Sequence, residues 1–178
     1  MFDGKMWYGC QSKGVGYVSR GAVTDLLAAG LPSWSVRAMR ADERGNLWIA
    51  TGGSGVIRLY ADSASAMGYS FEEYGYDQGM LSTNIYTLQL ADGKVYCGSQ
   101  NGIDELTLNN EFDVIETMHY GYDEGFVGVE TCQNAALQDK QGNLWFGTVN
   151  GLSQFKPNTK TNQTQLPKLD FTDVSVNL

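Results

Sequence analysis

Apolar residues along this chain do not recur with a helical period. They come in short runs, alternating or continuous, separated by turns rich in Gly, Asp and Asn, which is the pattern of β-strands. Residues 35–41, 47–51, 56–60 and 70–74 read as four consecutive strands. Residues 85–90, 95–99, 103–108 and 114–119 read as four more, and 134–138, 144–148 and 152–155 as a further three. The segment "TDLLAAG" at 24–30 is the one stretch that invites a helix.

The strands belong to a repeat. "GKMWYGC" at 4–10 returns as "GNLWIAT" at 45–51, "GKVYCGS" at 93–99 and "GNLWFGT" at 142–148, each followed by a second glycine: Gly14, Gly55, Gly102 and Gly151. The anchor aromatics Trp7, Trp48, Tyr96 and Trp145 are 41, 48 and 49 residues apart, within the ~40–50-residue period of a propeller blade. Turn chemistry accompanies each copy. Asp42, Asp92 and Asp139 precede Gly45, Gly93 and Gly142 by one or three residues, so a carboxylate can accept backbone N–H groups while Gly supplies positive φ. Asp92-Gly93 between two strands predicts a two-residue hairpin. A four-stranded sheet cannot bury both faces alone, so such units stack radially. The expected fold is all-β: a partial β-propeller of about three and three-quarter four-stranded blades, cut from a larger propeller expected at seven blades. The first unit lacks its opening strand. Units lie near 1–30, 31–79, 80–125 and 126–156, so 1–156 forms the blades.

Connectors echo one another as well. "YGYDQG" at 74–79 recurs as "YGYDEG" at 120–125, and "AAGLPSW" at 28–34 holds the matching place without tyrosines. The tail differs. Residues 157–167 are polar and end at a proline, as a linker does. Residues 168–178 alternate again, as a strand that closes the last blade or opens another domain.

A formal charge of −8 disfavours nucleic acid or an anionic membrane as partner and leaves neutral or cationic ligands easier to accommodate. No apolar run reaches the ~20 residues that span a bilayer, and "MFDGKMWYGC" lacks the basic start and apolar centre of a secretory signal. No membrane contact by this chain itself is expected. Cys10, Cys97 and Cys132 have no metal-ligand spacing. Aligned on the repeat, Cys10 replaces a small polar residue and Cys97 a hydrophobe.

His119, the one histidine, falls at a strand end before a turn, with no acid–base partner placed by spacing. Neither a zinc site nor a triad is supported. "TGGSG" at 51–55 lacks the Lys-Ser/Thr of a phosphate loop and reads as a turn. Glu72-Glu73 and Asp123-Glu124 read as solvated pairs. No catalytic residue, metal or cofactor is therefore expected. The connectors carry the candidate ligand-binding residues: Tyr74, Tyr76, Asp77, Tyr120, Tyr122, Asp123 and Glu130. Tyrosines there can stack on sugar rings and bond through O–H. Their recurrence from unit to unit favours inter-blade packing over ligand contact.

"DERGNLWIATGGSGVIRLY" and "DKQGNLWFGTVNGLSQFKP" resemble the two-component regulator propeller repeat, and "YDQGMLSTNIYTL" resembles that family's entry into the next blade. "PKLDFTDVSVNL" resembles the start of the Tyr-rich Ig-like domain that follows such propellers. The resemblance implies the C-terminal part of the periplasmic sensor region of a hybrid sensor histidine kinase controlling polysaccharide use, with an oligosaccharide as a possible ligand. This chain departs from the family in containing no kinase core. A propeller lyase of the antibiotic-inactivating type and a pure assembly scaffold remain as alternatives. An open set of blades exposes faces and edges, so self-association is expected.

Overall fold

The structure, a computed structural model, describes residues 3–32 and 34–156. Strands fall into four antiparallel meanders, each paired only in sequence order. Blade I holds β1 (Met6–Cys10), β2 (Gly14–Ser19) and β3 (Ala22–Asp25). Blade II holds β4 (Val36–Ala41), β5 (Asn46–Thr51), β6 (Val56–Ala61) and β7 (Tyr69–Tyr74). Blade III holds β8 (Thr87–Ala91), β9 (Lys94–Ser99), β10 (Gly102–Leu108) and β11 (Val114–Tyr120). Blade IV holds β12 (Thr131–Gln138), β13 (Leu144–Thr148) and β14 (Gly151–Phe155). The fold is all-β, as the repeat predicts. The linker and terminal strand expected at 157–167 and 168–178 lie outside the described residues.

Turn chemistry sets the strand ends. Asp92 and Gly93 both take positive φ, 52° and 75°, and Ala91 pairs with Lys94 across them, which is the tight hairpin that Asp-Gly favours. Gly102, at φ 118°, brings its backbone against the Tyr120 carbonyl, where a Cβ would stand 2.2 Å from the oxygen. Gly55 meets the Tyr74 carbonyl in the same way, at 2.0 Å. No other residue fits at either place.

Two expectations differ from the structure. Residues 26–30 form consecutive turns instead of a helix: Ala29 and Gly30 donate to the carbonyls of Leu26 and Leu27, and only Leu26 of this apolar run is buried. Blade III also starts later than the alternation suggests. Ile85 donates to the Thr51 carbonyl of blade II, and Gly52 bridges Asn84, so the approach to β8 is tied to the preceding blade.

Between successive blades lies one apolar layer. We call the face turned toward the next blade in chain order leading, and the opposite face trailing. Val15, Trp7 and Tyr17 of blade I meet Leu47, Ile49, Ile57 and Leu59 of blade II. The leading residues Trp48, Ala50 and Val56 meet Ile85, Leu88, Val95, Cys97 and Leu106 of blade III. Tyr96 and Ile103 then meet Leu144 and Phe146 of blade IV. Each large apolar side chain so buried contributes roughly 1.5–3 kcal/mol, and no single blade could supply this alone. Near the axis, Arg40 of β4 reaches past blade III to donate to Asn134 Oδ1 at 3.0 Å and to the Ala136 carbonyl at 3.3 Å.

Candidate functional site

Two sets of repeated polar contacts position the surface between blades. The first set braces the hairpins. Asp42 Oδ1 accepts the backbone N–H groups of Arg44 and Asn46, and Oδ2 accepts Asn46 Nδ2 and the Trp48 indole Nε1, both at 2.8 Å. Asp139 repeats this with Gln141, Asn143 and Trp145, the indole again at 2.8 Å. The indole bond, followed by that of Asn143, holds the Asp139 carboxyl below its ordinary pKa. In blade I, Trp7 Nε1 donates to Asp3 Oδ1 at 3.0 Å. The carboxylate thus does more than shape a turn: it fixes the plane of the aromatic that covers the next blade. Blade III keeps Asp92 and Gly93 but carries Tyr96, which has no indole N–H to offer.

The second set shapes the connectors. Gly75 N–H donates to Gln78 Oε1 and Gly121 N–H to Glu124 Oε2. Gly79 N–H returns to the Tyr76 carbonyl and Gly125 N–H to that of Tyr122, while Met80 and Phe126 reach back to the Gly75 and Gly121 carbonyls. In the first connector, Gly30 and Leu31 make the same pair of bonds to Leu27 and Leu26. Leu31, Met80 and Phe126 are the buried pegs of the three loops. The connector without tyrosines has the conformation of the two that have them.

That shared conformation divides the candidate tyrosines. Tyr74, at 4 % exposure, ends β7 and packs on the Trp48 ring at 5.4 Å. Its hydroxyl accepts Arg58 Nε at 3.3 Å and lies 3.0 Å from Glu72 Oε2 and 3.1 Å from the Phe112 carbonyl. Tyr120 ends β11, stacks edge-on against Phe155 at 4.8 Å and donates to Glu105 Oε2 at 3.2 Å. Burial pushes both phenols up to about 12, so each stays a protonated donor across ordinary pH. These two belong to the frame. Two residues on, Tyr76 and Tyr122 are 65 % and 70 % exposed, and the equivalent Leu27 is also exposed. Asp77, Asp123 and Glu130 are exposed too.

Tyr74 and Asp77 help line a groove of about 630 Å³ between β7 and β11, together with Glu72, Glu73, Gln78, Asp113 and Glu116. Tyr120, Tyr122, Asp123 and Glu130 lie at the following joint, outside this groove. Six of the seven candidates are therefore two copies of one surface, with Tyr74 and Tyr120 underneath, and Glu130 belongs to the second copy alone.

A contact that spacing does not suggest sits beside them. His119 Nδ1 lies 2.9 Å from Asp104 Oδ1, across the β10–β11 pair. Spacing along the chain places no acidic partner for His119, and the strand register supplies one. Asp104 is almost fully buried, and its other oxygen accepts the Leu81 N–H at 3.1 Å. Burial raises its pKa, opposed by the His119 and Leu81 bonds. Geometrically the pair pins the connector at Leu81 to the edge of blade III. Among the described residues, no group of His, Cys, Asp or Glu side chains forms a metal site, and no helix is long and apolar enough to cross a membrane.

Residues 30–53 and 133–150 match the model of the two component regulator propeller family. They span the Asp42 and Asp139 braces and the entry into blade II. Two of the four units are thus similar to two-component regulator propeller repeats. Blades I and III share the antiparallel meander and the inter-blade apolar layers of blades II and IV. The extracellular domain of the hybrid two-component system BT3049 from B. thetaiotaomicron superposes with a TM-score of 0.71 at 17 % identity, over 97 % of this chain and 24 % of that one. The corresponding domain of BT4673 from the same organism gives 0.55 at 19 % identity, over 81 % and 18 %. A streptogramin B lyase gives 0.59 at 16 % identity, over 89 % and 53 %. The chain thus spans about a quarter of the BT3049 domain and about half of the lyase. At these identities the shared property is the fold. Among curated proteins, none matches the chain in sequence.

Proposed function

We propose that this chain is a non-catalytic, extracytoplasmic ligand-binding module of a bacterial two-component receptor, and that its connector surface receives a neutral oligosaccharide. The observation that carries this reading is the division of the tyrosines: at two successive joints one phenol is locked in the frame, while its neighbour stands out in solvent beside a carboxylate. An exposed phenol gives a sugar ring an apolar face and a hydroxyl partner. Asp77 and Asp123 add acceptors for sugar hydroxyls. The carboxylates of Glu72, Glu73, Asp77, Asp113 and Glu116 in the adjoining groove disfavour acidic sugars. The regulator-propeller match and the extracellular relatives supply the receptor context. In the parent, bound glycan would favour one packing of two sensor regions and so bias a kinase that controls polysaccharide-use genes.

A glycan-array screen of the chain, followed by calorimetry on the best hit, tests this. Wild type is expected to prefer neutral oligosaccharides. Tyr76→Ala combined with Tyr122→Ala is expected to weaken binding by about tenfold or more, since each stacked aromatic is worth about 0.5–1.5 kcal/mol beyond its buried area, with an unchanged melting temperature. Absence of any glycan hit, or equal affinity in the double variant, rejects the reading.

The lyase alternative rests on one observation, the His119–Asp104 pair. Asp104 is already committed to the Leu81 N–H, and the imidazole edge faces Gly121, where a Cβ would stand 2.9 Å from Nε2. We assign the pair to holding the connector. Turnover of a streptogramin B antibiotic by this chain would reverse that assignment.

A further inference from the structure

We infer that Phe112 is a strained latch between blades II and III, holding two grooves apart and setting how readily that joint opens. The evidence is one turn built three times. Asp42, Asn109 and Asp139 each accept, through Oδ1, the backbone N–H groups two and four residues on. Each also donates its own N–H to the carbonyl four residues on. The residue three positions after each takes a left-handed backbone: φ is 80° at Gly45, 84° at Gly142 and 72° at Phe112. A Cβ at Gly45 or Gly142 would meet no atom within 4 Å, so glycine stands there for its backbone alone. The third turn holds a phenylalanine instead. A left-handed backbone disfavours an L side chain by roughly fivefold to thirtyfold in population, and such outliers persist only where the surrounding structure holds them.

Blade II does the holding. The Arg44 and Arg58 guanidiniums each lie 3.9 Å from the Phe112 ring centre, and the Trp48 ring is 6.2 Å away. The Phe112 carbonyl accepts the Tyr74 hydroxyl at 3.1 Å, and Arg44 also donates to the Asn110 carbonyl in the same turn. The strained residue belongs to blade III and these restraints to blade II, so parting the two blades releases the strain. The ring is also a partition. Among the described residues, Phe112 alone lines both the groove of about 630 Å³ between β7 and β11 and a second groove, of about 730 Å³, between the hairpin turns of the two blades. Once residue 112 relaxes to negative φ and the ring withdraws, the two grooves run together through the joint. A ligand seated in either groove can thus bias the opening. The inference does not depend on what the connector surface binds.

Cys97, fully buried in the apolar layer between these blades, reports the opening through its labelling by dithionitrobenzoate. The test uses the chain with Cys10→Ser and Cys132→Ser, so that this thiol alone reacts, with far-UV circular dichroism verifying the fold of every variant. In low urea, labelling should be nearly independent of urea, as for a local opening and not global unfolding. Arg44 is exposed, and Arg44→Ala should speed labelling about twofold to fivefold, the worth of an exposed cation–π contact. Most of that effect should vanish in the Phe112→Gly background. Phe112→Ala and Phe112→Gly both remove the ring, and the glycine variant, free of strain, should label about fivefold more slowly than the alanine one. Equal rates for these two variants overturn the inference. So does an Arg44→Ala effect that is absent, or that survives in full beside Phe112→Gly, and so does labelling that tracks global unfolding throughout.

Discussion

Replacing Asp42 by Ala is expected to cost about 3 kcal/mol of unfolding free energy, a large share of the ~5–15 kcal/mol that holds a domain. The substitution removes the acceptor of the Trp48 indole and of Asn46 Nδ2, and of two backbone N–H groups in the turn. Trp48 and Asn46 are both buried, so water cannot replace the lost partner, and an orphaned buried donor costs ~1–3 kcal/mol. The turn itself adds about 1 kcal/mol, by analogy with an Asp cap. Trp48→Phe keeps most of the ring and removes only the donor. In that background Asp42→Ala should cost about 1 kcal/mol less than in wild type, the mark of a direct contact. Asp139→Ala should cost less than Asp42→Ala, because Trp145 lies on an end blade and is only half-buried. Chemical denaturation of the four variants measures all of this. Equal costs for Asp42→Ala with and without the indole would mean that the carboxylate serves the turn alone.

Loss of Arg58 is the other large effect. Its guanidinium is buried in the leading face of blade II. It donates to Asn46 Oδ1 at 2.9 Å, pairs with Glu72 at 2.9 Å, bonds the Tyr74 hydroxyl, and lies 3.9 Å over the Phe112 ring from blade III. Arg58→Ala should destabilise by about 2–4 kcal/mol, since it both breaks a buried polar network and opens a cavity. Glu72 is partly exposed and will recover water, which keeps the figure below that for an orphaned buried ion. Arg58→Lys should recover only part, because one ammonium cannot bond Asn46, Glu72 and Tyr74 in the planar fan of a guanidinium. Denaturation midpoints for the two variants check the order. A cost under about 0.5 kcal/mol for Arg58→Ala would show the network to be ornamental.

Most of the fold is legible in the sequence because the chain writes its turns explicitly. Asp92-Gly93, the paired glycines and the alternating runs place most strand ends within a residue or two, and the repeat orders the sheets. β8 and β12 are the exceptions at their first residues. Ile85 bonds to blade II, and β12 begins at Thr131 with a break in register before Ala136, neither of which a single strand's pattern reveals. The indole braces left a signal: Asp, Asn and Trp recur with one spacing at 42, 46, 48 and at 139, 143, 145. That signal reads as turn chemistry until the hairpin shows the carboxylate and indole on one side. Tyr74 and Tyr76 look alike in sequence because both sit in one short motif. Only the end of β7 between them decides that one points inward. The His119–Asp104 pair depends on the register across the β10–β11 loop, and β11 carries an irregularity at that end, so spacing alone could not find it.

Four sheets stand side by side, each covering the next, and the connectors lie outside the layers except for their buried pegs Leu31, Met80 and Phe126. Backbone hydrogen exchange resolved by peptide tests it most directly, because buried strand amides open only with the whole domain while exposed loops open locally. Slowest exchange is expected in β5, β6, β9 and β10, intermediate rates in the end strands β1 and β14, and fast exchange across residues 76–83 and 122–130. Protection of those connectors equal to that of β9, or exchange in β5 and β9 as fast as in the connectors, would contradict it.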